Sequence, residues 1–210
     1  MEQRELLKQG LRELDIVFSE EQIQSFMTFL PELKKWNRAY NLTGIREDKD
    51  IIEKHFLDSL LYLKAMPEGA VRVADIGTGA GFPGIPVKII RPEIEMYLIE
   101  SSGKKTAFLR HIIKKIGLEK IEVIEKRVEE VKSGRDLPSP VDIAVTRALF
   151  SVREFKKKAS HLLVEGGKLI LSKGPKVHEE VNALTDEKYD VLTFRLPLSD
   201  MKRHIVVVKT

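Results

Sequence analysis

The sequence predicts an α/β fold in which a mostly parallel seven-stranded sheet, covered by helices on both faces, follows a helical N-terminal region. Three observations carry this. Apolar residues recur at spacings of three and four up to about residue 66; short apolar runs alternate with helix-period segments from Val71 onward; and a short polar turn separates the last two runs. Helical periodicity places one stripe of each helix in a core. Apolar runs separated by helices are the pattern of parallel strands buried on both faces. A short turn joins antiparallel neighbours, so the last strand is expected to run against the rest.

Leu6, Leu7, Leu11 and Leu14 mark the first helix. Ser19-Glu20-Glu21-Gln22 opens the second as a capping box, because the Ser hydroxyl and the Gln amide can satisfy free N–H groups at a helix start. Its buried stripe is Ile23, Phe26, Met27, Leu30, Leu33 and Trp36. A third run over about 49–65 carries Ile52, Phe56, Leu60 and Leu63 and stops at Pro67-Glu68-Gly69. That break divides the chain into a helical region, 1–68, and an α/β region, 69–210. In the latter, strands are predicted at 71–76, 96–99, 121–124, 141–145 and 169–171, and helices at 84–90, 104–116, 152–163 and 177–186. Ser151-Val152-Arg153-Glu154 supplies a second capping box, and 191–196 with 204–209 forms the closing hairpin.

Composition narrows the function classes. Hydrophobic residues at 42% and charged residues at 32% exclude a disordered or collagen-like chain. The absence of Cys excludes disulfides, thiolate metal sites, iron–sulfur clusters and a cysteine nucleophile, and agrees with the reducing cytoplasm in which the protein is expected. The sequence Met1-Glu2-Gln3-Arg4-Glu5 has no basic start followed by an apolar run, and no apolar stretch is long enough to span a bilayer, so neither export nor membrane insertion is expected. A formal charge of +4 and a pI near 9.1 permit a basic surface for phosphates. Residues 101–120 hold six Lys/Arg against one Glu, and Arg153, Lys156, Lys157, Lys158 and the predicted turn at 202–204 add more.

The strongest chemical signal is Asp75-Ile76-Gly77-Thr78-Gly79-Ala80-Gly81-Phe82-Pro83-Gly84, between the first predicted strand and a helix. Glycines let backbone approach a ligand closely, and a helix start offers N–H groups. The window fits two templates. From Gly79 it reads G-x-G-x-x-G, the dinucleotide fingerprint, with Glu100 standing 21 residues on where a ribose-binding acid is expected. From Asp75 it reads D-x-G-x-G-x-G, which resembles the first motif of class I methyltransferases that bind S-adenosylmethionine. A carboxylate about 4 Å from a phosphate would cost roughly 4 kcal/mol at an effective dielectric of 20, and Pro83 removes an N–H that a pyrophosphate would use. A cationic sulfonium ligand suits Asp75 better, directly or through water.

Further motifs follow in order: Trp36-Asn37, Asn41-Leu42-Thr43, His55-Phe56-Leu57-Asp58-Ser59, the glycine window extended through Ile85-Pro86, Glu100-Ser101 with Lys104, Phe108-Leu109-Arg110, Arg127-Val128-Glu129, Thr146-Arg147-Ala148 and Lys173-Gly174. From Trp36 to Gly174 the sequence closely resembles the bacterial ribosomal RNA small subunit methyltransferase G family, also called glucose-inhibited division protein B, which methylates guanine N7 in small-subunit (16S) ribosomal RNA. The resemblance implies a Rossmann-like class I methyltransferase fold, S-adenosylmethionine as cofactor, ribosomal RNA or a ribosomal particle as partner, no metal and a monomer. It differs conservatively: the family often has Ser, Ala and Asp where Thr146, Val128 and Glu100 stand here.

By this resemblance Asp75, Gly77, Gly79, Gly81 and Phe82 line the cofactor from the loop, with Ser101 beside it. Glu100 accepts from the ribose hydroxyls, Val128 by its backbone and Glu129 lie by the adenine, and Arg147 belongs to the cofactor site and faces RNA. Phe82 as an ordinary core residue is the competing reading. Asn41, His55, Asp58, Arg147 and Lys173 are expected on the substrate side. No acid or base is assigned, because guanine N7 has an exposed lone pair and attacks without losing a proton. Methylation of another RNA or a small molecule, a nicotinamide oxidoreductase and a non-catalytic RNA scaffold remain open at this point.

Overall fold

A computed structural model describes residues 2–69, 71–174, 177 and 188–210. Apart from Val177, the helix predicted over 177–186 lies outside the described residues. Helices α1 (Glu2–Glu13) and α2 (Glu20–Tyr40) open the chain. The capping box forms as predicted, with Ser19 Oγ accepting from the Gln22 N–H at 3.2 Å and Gln22 Oε1 accepting from the Ser19 N–H at 2.8 Å. Gln22 Nε2 also donates to the carbonyls of Ile89 and Ile90, both at 3.0 Å, which ties this helix start to the end of a helix in the α/β region.

The third helical run departs from a plain α-helix. It passes from α3 (Asp48–Ile51) through a π-helical turn (Ile52–Leu57) into α4 (Asp58–Leu60) and a 3-10 turn (Leu61–Ala65). The apolar spacing Ile52, Phe56, Leu60 is that of an α-helix, so the widened turn is invisible in the pattern; such turns occur often at functional sites.

The sheet contains β1 (Arg72–Ile76), β2 (Glu95–Ile99), β3 (Ile121–Ile124), β4 (Val141–Arg147), β5 (Leu163–Lys173), β6 (Tyr189–Arg195) and β7 (Lys202–Lys209), in the order β3-β2-β1-β4-β5-β7-β6. β1 to β5 pair in parallel and β7 is antiparallel to both β5 and β6, as predicted. β5 begins earlier than its apolar run suggests because the segment Val164-Glu165-Gly166-Gly167 reads as a turn. Lys202 and Arg203 lie in β7 rather than in a turn.

Strand residues alternate between two cores. Val73, Met96, Leu98, Ile143, Val145, Ile170, Ile205 and Val207 face α5 (Gly84–Ile90), α6 (Gly103–Ile116) and the N-terminal helices, which share one apolar cluster with them. Ala74, Ile76, Tyr97, Ile99, Ala144, Leu169, Leu171, Val206 and Val208 face α7 (Val152–Ala159), which continues as a 3-10 turn (Ser160–Leu162). Strand order reverses at β1, so the crevice at the carboxyl ends of β1, β2 and β4 is where an open α/β sheet binds its ligand.

Candidate active site

The glycine loop leaves β1 at that crevice, and Asp75 builds it from below. Its side chain is fully buried, and Oδ2 accepts from Thr78 Oγ1 at 2.6 Å and from the Gly84 N–H at 2.7 Å, fastening both ends of the loop. Oδ1 has no partner among the described residues. Burial pushes the carboxyl up to about 6, against the pull of the Thr78 and Gly84 donors. Asp75, expected toward the ligand directly or through water, lies beneath the loop, where the start of α5 uses it as an acceptor. Gly84 must lack a side chain, since a Cβ would lie 2.8 Å from Asp75 Oδ2 and 2.4 Å from Leu98. Gly77 has φ of +68°, and a Cβ there would lie 2.1 Å from Leu149.

Above the loop lies a cleft of about 380 Å³. Gly77, Glu100, Ser101, Val128 and Glu129 line it together, so the structure brings residues after β1, β2 and β3 to one cleft. Gly79 and Gly81 are loop residues in the left-handed region, φ 61° and 96°. Glu100 closes the tip of β2: Oε2 accepts from the Gly79 N–H at 3.1 Å, Oε1 accepts from the Ser102 N–H at 2.9 Å, and Lys105 Nζ is 3.7 Å away. Glu129 pairs with Lys158, which holds its carboxyl below the usual range. Ile76, Ile99 and Val128 give the cleft an apolar floor.

Phe82 and Arg147 point elsewhere. The Phe82 ring is 4% exposed, stacks on His55 at 4.4 Å between centroids and contacts Phe29 and Phe56; it belongs to the core under the loop and does not line the cleft. The ring thus takes the place of an ordinary core residue, the competing reading of the sequence. Arg147, at the end of β4, extends toward the π-helical turn. Its guanidinium donates to the Lys54 carbonyl at 3.0 Å, meets His55 Nδ1 at 2.8 Å, lies 3.6 Å from Asp58 Oδ2 and sits 5.1 Å from the Phe82 centroid.

Arg147 only donates, so His55 Nδ1 accepts and the ring proton sits on Nε2, directed at Thr43 Oγ1 at 2.7 Å. Burial and the neighbouring guanidinium push His55 down to about 3, which keeps it neutral. Thr43 is fixed in turn by its own N–H, which donates to Asn37 Oδ1 at 2.8 Å. Asp58 holds Arg203 as well, with Nε donating to Oδ1 at 2.9 Å. His55, Asp58 and Arg147 thus meet, whereas Asn41 and Lys173 stand apart from them. Asn41 ends α2 at φ 50° and lines a separate pocket, and Lys173 donates to the Phe150 carbonyl at the end of β5.

Sequence reasoning missed Tyr62, Leu149 and Arg203. Tyr62 is fully buried; its hydroxyl donates to the Thr146 carbonyl at 2.5 Å and accepts from the Ser172 N–H at 2.9 Å, bridging β4 and β5 beside Arg147. An apolar stripe gives no sign of such a hydroxyl. Arg203 reads in the sequence as one more surface cation of a basic turn, yet its partner is buried Asp58, 145 residues earlier. His204 is also buried, with Nδ1 meeting Thr193 Oγ1. Among the described residues no helix is long and apolar enough to cross a membrane, and no group of acids and histidines could hold a metal ion.

The sheet order, the glycine loop and the acid at the tip of β2 define a class I methyltransferase fold. A methyltransferase from Pyrococcus furiosus matches it with a TM-score of 0.59 at 15% identity, over 87% of this chain and 96% of its own. An S-adenosylmethionine-dependent methyltransferase from Aquifex aeolicus matches with a TM-score of 0.55 at 15% identity, over 77% of this chain and 93% of its own. The sequence profile of the family described as rRNA small subunit methyltransferase G matches residues 22–205, and the chain belongs to that family. A relative named Ribosomal RNA small subunit methyltransferase G, from Caldanaerobacter subterraneus subsp. tengcongensis, is 40% identical over 212 residues, 98% of this chain and 89% of its own.

Proposed function

We propose that this chain transfers the methyl group of S-adenosylmethionine to N7 of a guanine in small-subunit ribosomal RNA. Family membership over residues 22–205 carries the reading. The residues of the cleft fit the cofactor. Ile76, Ile99 and Val128 offer an apolar surface for a purine, and Glu100 offers carboxylate lone pairs to ribose hydroxyls. The start of α5 argues against a dinucleotide: Pro83 has no N–H, the Gly84 N–H is held by Asp75, and the Ile85 N–H is held by the Gly81 carbonyl at 2.8 Å. No donor is left there for a pyrophosphate.

When bound, S-adenosylmethionine supplies an electrophilic methyl group. Guanine N7 attacks it through a lone pair and loses no proton, so the protein needs no general base, and neutral, donor-bound His55 is not placed to be one. What the chain supplies is alignment, the proximity and orientation contribution to rate. Glu100 holds the loop at Gly79, Asp75 holds it at Thr78 and Gly84, and Arg147 ties the base of the loop to the helical region through Phe82 and His55. Carboxylates near the purine would also favour the positive charge that develops on it. The enzyme acts in the cytoplasm as a monomer without a metal, in keeping with a chain that lacks cysteine.

Tritium transfer from labelled S-adenosylmethionine to small ribosomal subunits of a strain lacking this protein tests the reading, with the modified nucleoside identified by mass spectrometry. Label in 7-methylguanosine is expected. Cofactor binding without incorporation would keep the cofactor and remove the substrate. Glu100→Ala should weaken cofactor binding, and unchanged affinity would overturn the reading of Glu100 as the ribose acceptor.

A further inference from the structure

The C-terminal end of α2 and the loop after it carry chemistry that the methyl-transfer cleft does not use. Lys34, Asn37, Arg38, Asn41, Arg46 and Glu47 line a pocket of about 400 Å³. Lys34 is ion-paired with Asp48, but the guanidinium groups of Arg38 and Arg46 have no hydrogen-bond or ion-pair partner among the described residues. Both are exposed, and Glu47 is the one carboxylate in the lining. Two unneutralised arginines facing one concavity suit a phosphate, whose oxygens match the planar guanidinium fork.

The same helix end carries an aromatic pair on its other side, since positions 36 and 40 lie away from the 34, 37, 38 and 41 face. Tyr40 is 46% exposed, one of only three large hydrophobic side chains so exposed among the described residues, and it is backed by Trp36 at 5.5 Å between centroids. A helix end with free cations on one side and a backed, exposed ring on the other suits a single RNA strand laid across it, with a base stacking and the backbone meeting positive charge. The loop is also joined to the transfer site: Asn37 accepts from Thr43, Thr43 meets His55, and His55 accepts from Arg147. Three consecutive contacts therefore link the pocket wall to the end of β4.

We propose that Arg38 and Arg46 hold backbone phosphates of the RNA substrate while Tyr40 stacks one of its bases, making the end of α2 an RNA-strand site separate from the methyl-transfer cleft. This deepens, and rests on, the reading of the chain as an RNA methyltransferase. Binding of a small-subunit rRNA transcript is measured against KCl concentration for wild type, Arg38→Ala/Arg46→Ala and Tyr40→Ala, with S-adenosylmethionine affinity as the check that each variant is folded. Losing two phosphate contacts should flatten the slope of log K against log salt by about 1.4, at about 0.7 per phosphate of a single strand. Tyr40→Ala should weaken binding by roughly tenfold and leave the slope unchanged.

Wild-type slope and affinity in the double variant, with S-adenosylmethionine bound normally, would overturn the site even if the wild type methylates RNA. A wild type that binds the transcript with the predicted slope differences but methylates no RNA would sink the enzymatic reading and leave the RNA-strand site standing. A wild type that does not bind the transcript would overturn the RNA-strand site, and methylation of small ribosomal subunits by that same protein would leave the enzymatic reading standing.

Discussion

Asp75→Asn separates the charge beneath the glycine loop from its hydrogen bonds. The Asn carbonyl can still accept from Thr78 and Gly84, and what is lost is an ionised carboxylate in a site with no solvent contact. The wild-type carboxyl is raised from 3.8 to about 6, chiefly by burial. Below about pH 3.8 it is neutral in both folded and unfolded chains and contributes no difference. Between 3.8 and 6 only the unfolded chain ionises, so stability falls as pH rises, by about 1.4 kcal/mol per pH unit. Above about 6 both forms are ionised and the cost levels off at about 3 kcal/mol. Urea unfolding of wild type and variant from pH 4 to 8 should therefore show the variant gaining on wild type up to about pH 6 and tracking it thereafter. Because the side chain holds the loop and does not face the cleft, cofactor affinity of the variant at pH 8 should stay within a few-fold of wild type. Parallel stability curves across the whole range, or a large loss of cofactor affinity, would refute the assignment of Asp75 to the underside of the loop.

Two other substitutions probe the contacts around Arg147. His55→Ala removes the acceptor for its guanidinium, and a hydrogen bond to a charged group is worth about 1.5–3 kcal/mol, so the urea-unfolding stability should fall by about that amount, and an unchanged midpoint would mean that the contact is not formed. Because His55 is held down to about 3, it should contribute no ionisation near 6.5 to wild-type methyl transfer; a pH–rate profile with a step there that is lost in His55→Ala would refute the neutral ring. Tyr62→Phe strands the Thr146 carbonyl and the Ser172 N–H, and should lower unfolding stability by about 1–3 kcal/mol; an unchanged urea midpoint would mean that β4 and β5 close directly over the missing hydroxyl.

Much of the scaffold was legible because it rests on local signals. The helix predicted at 84–90 and the strand at 121–124 coincide with α5 and β3, and both capping boxes form where Ser and Gln or Glu stand three residues apart. The cleft was legible to the extent that its residues belong to strand ends: Gly77, Glu100, Val128 and Glu129 converge because parallel strands deliver their carboxyl ends to one edge. What escaped depends on side-chain direction or on distant partners. Asp75 and Phe82 sit in the loop motif but turn inward, and no spacing rule distinguishes a residue above a loop from one below it. Arg203 reads as a surface cation until the fold brings Asp58 beside it, and a π-helical turn changes which residues of 52–57 face Arg147 without disturbing the apolar pattern.

The position of β7 has a consequence for how the chain folds as it is made. β7 follows β6 in sequence yet lies between β5 and β6 in the sheet. Until it is synthesised, β6 has no edge to join, and the apolar cluster that holds the N-terminal helices lacks Ile205 and Val207. The 3-10 turn at Leu61–Ala65, which closes the helical region and packs on β7, therefore waits for a strand that comes some 140 residues later. Completion is a long-range step, slow in the way that non-local strand pairing is slow, and the half-made chain is the species most exposed to aggregation.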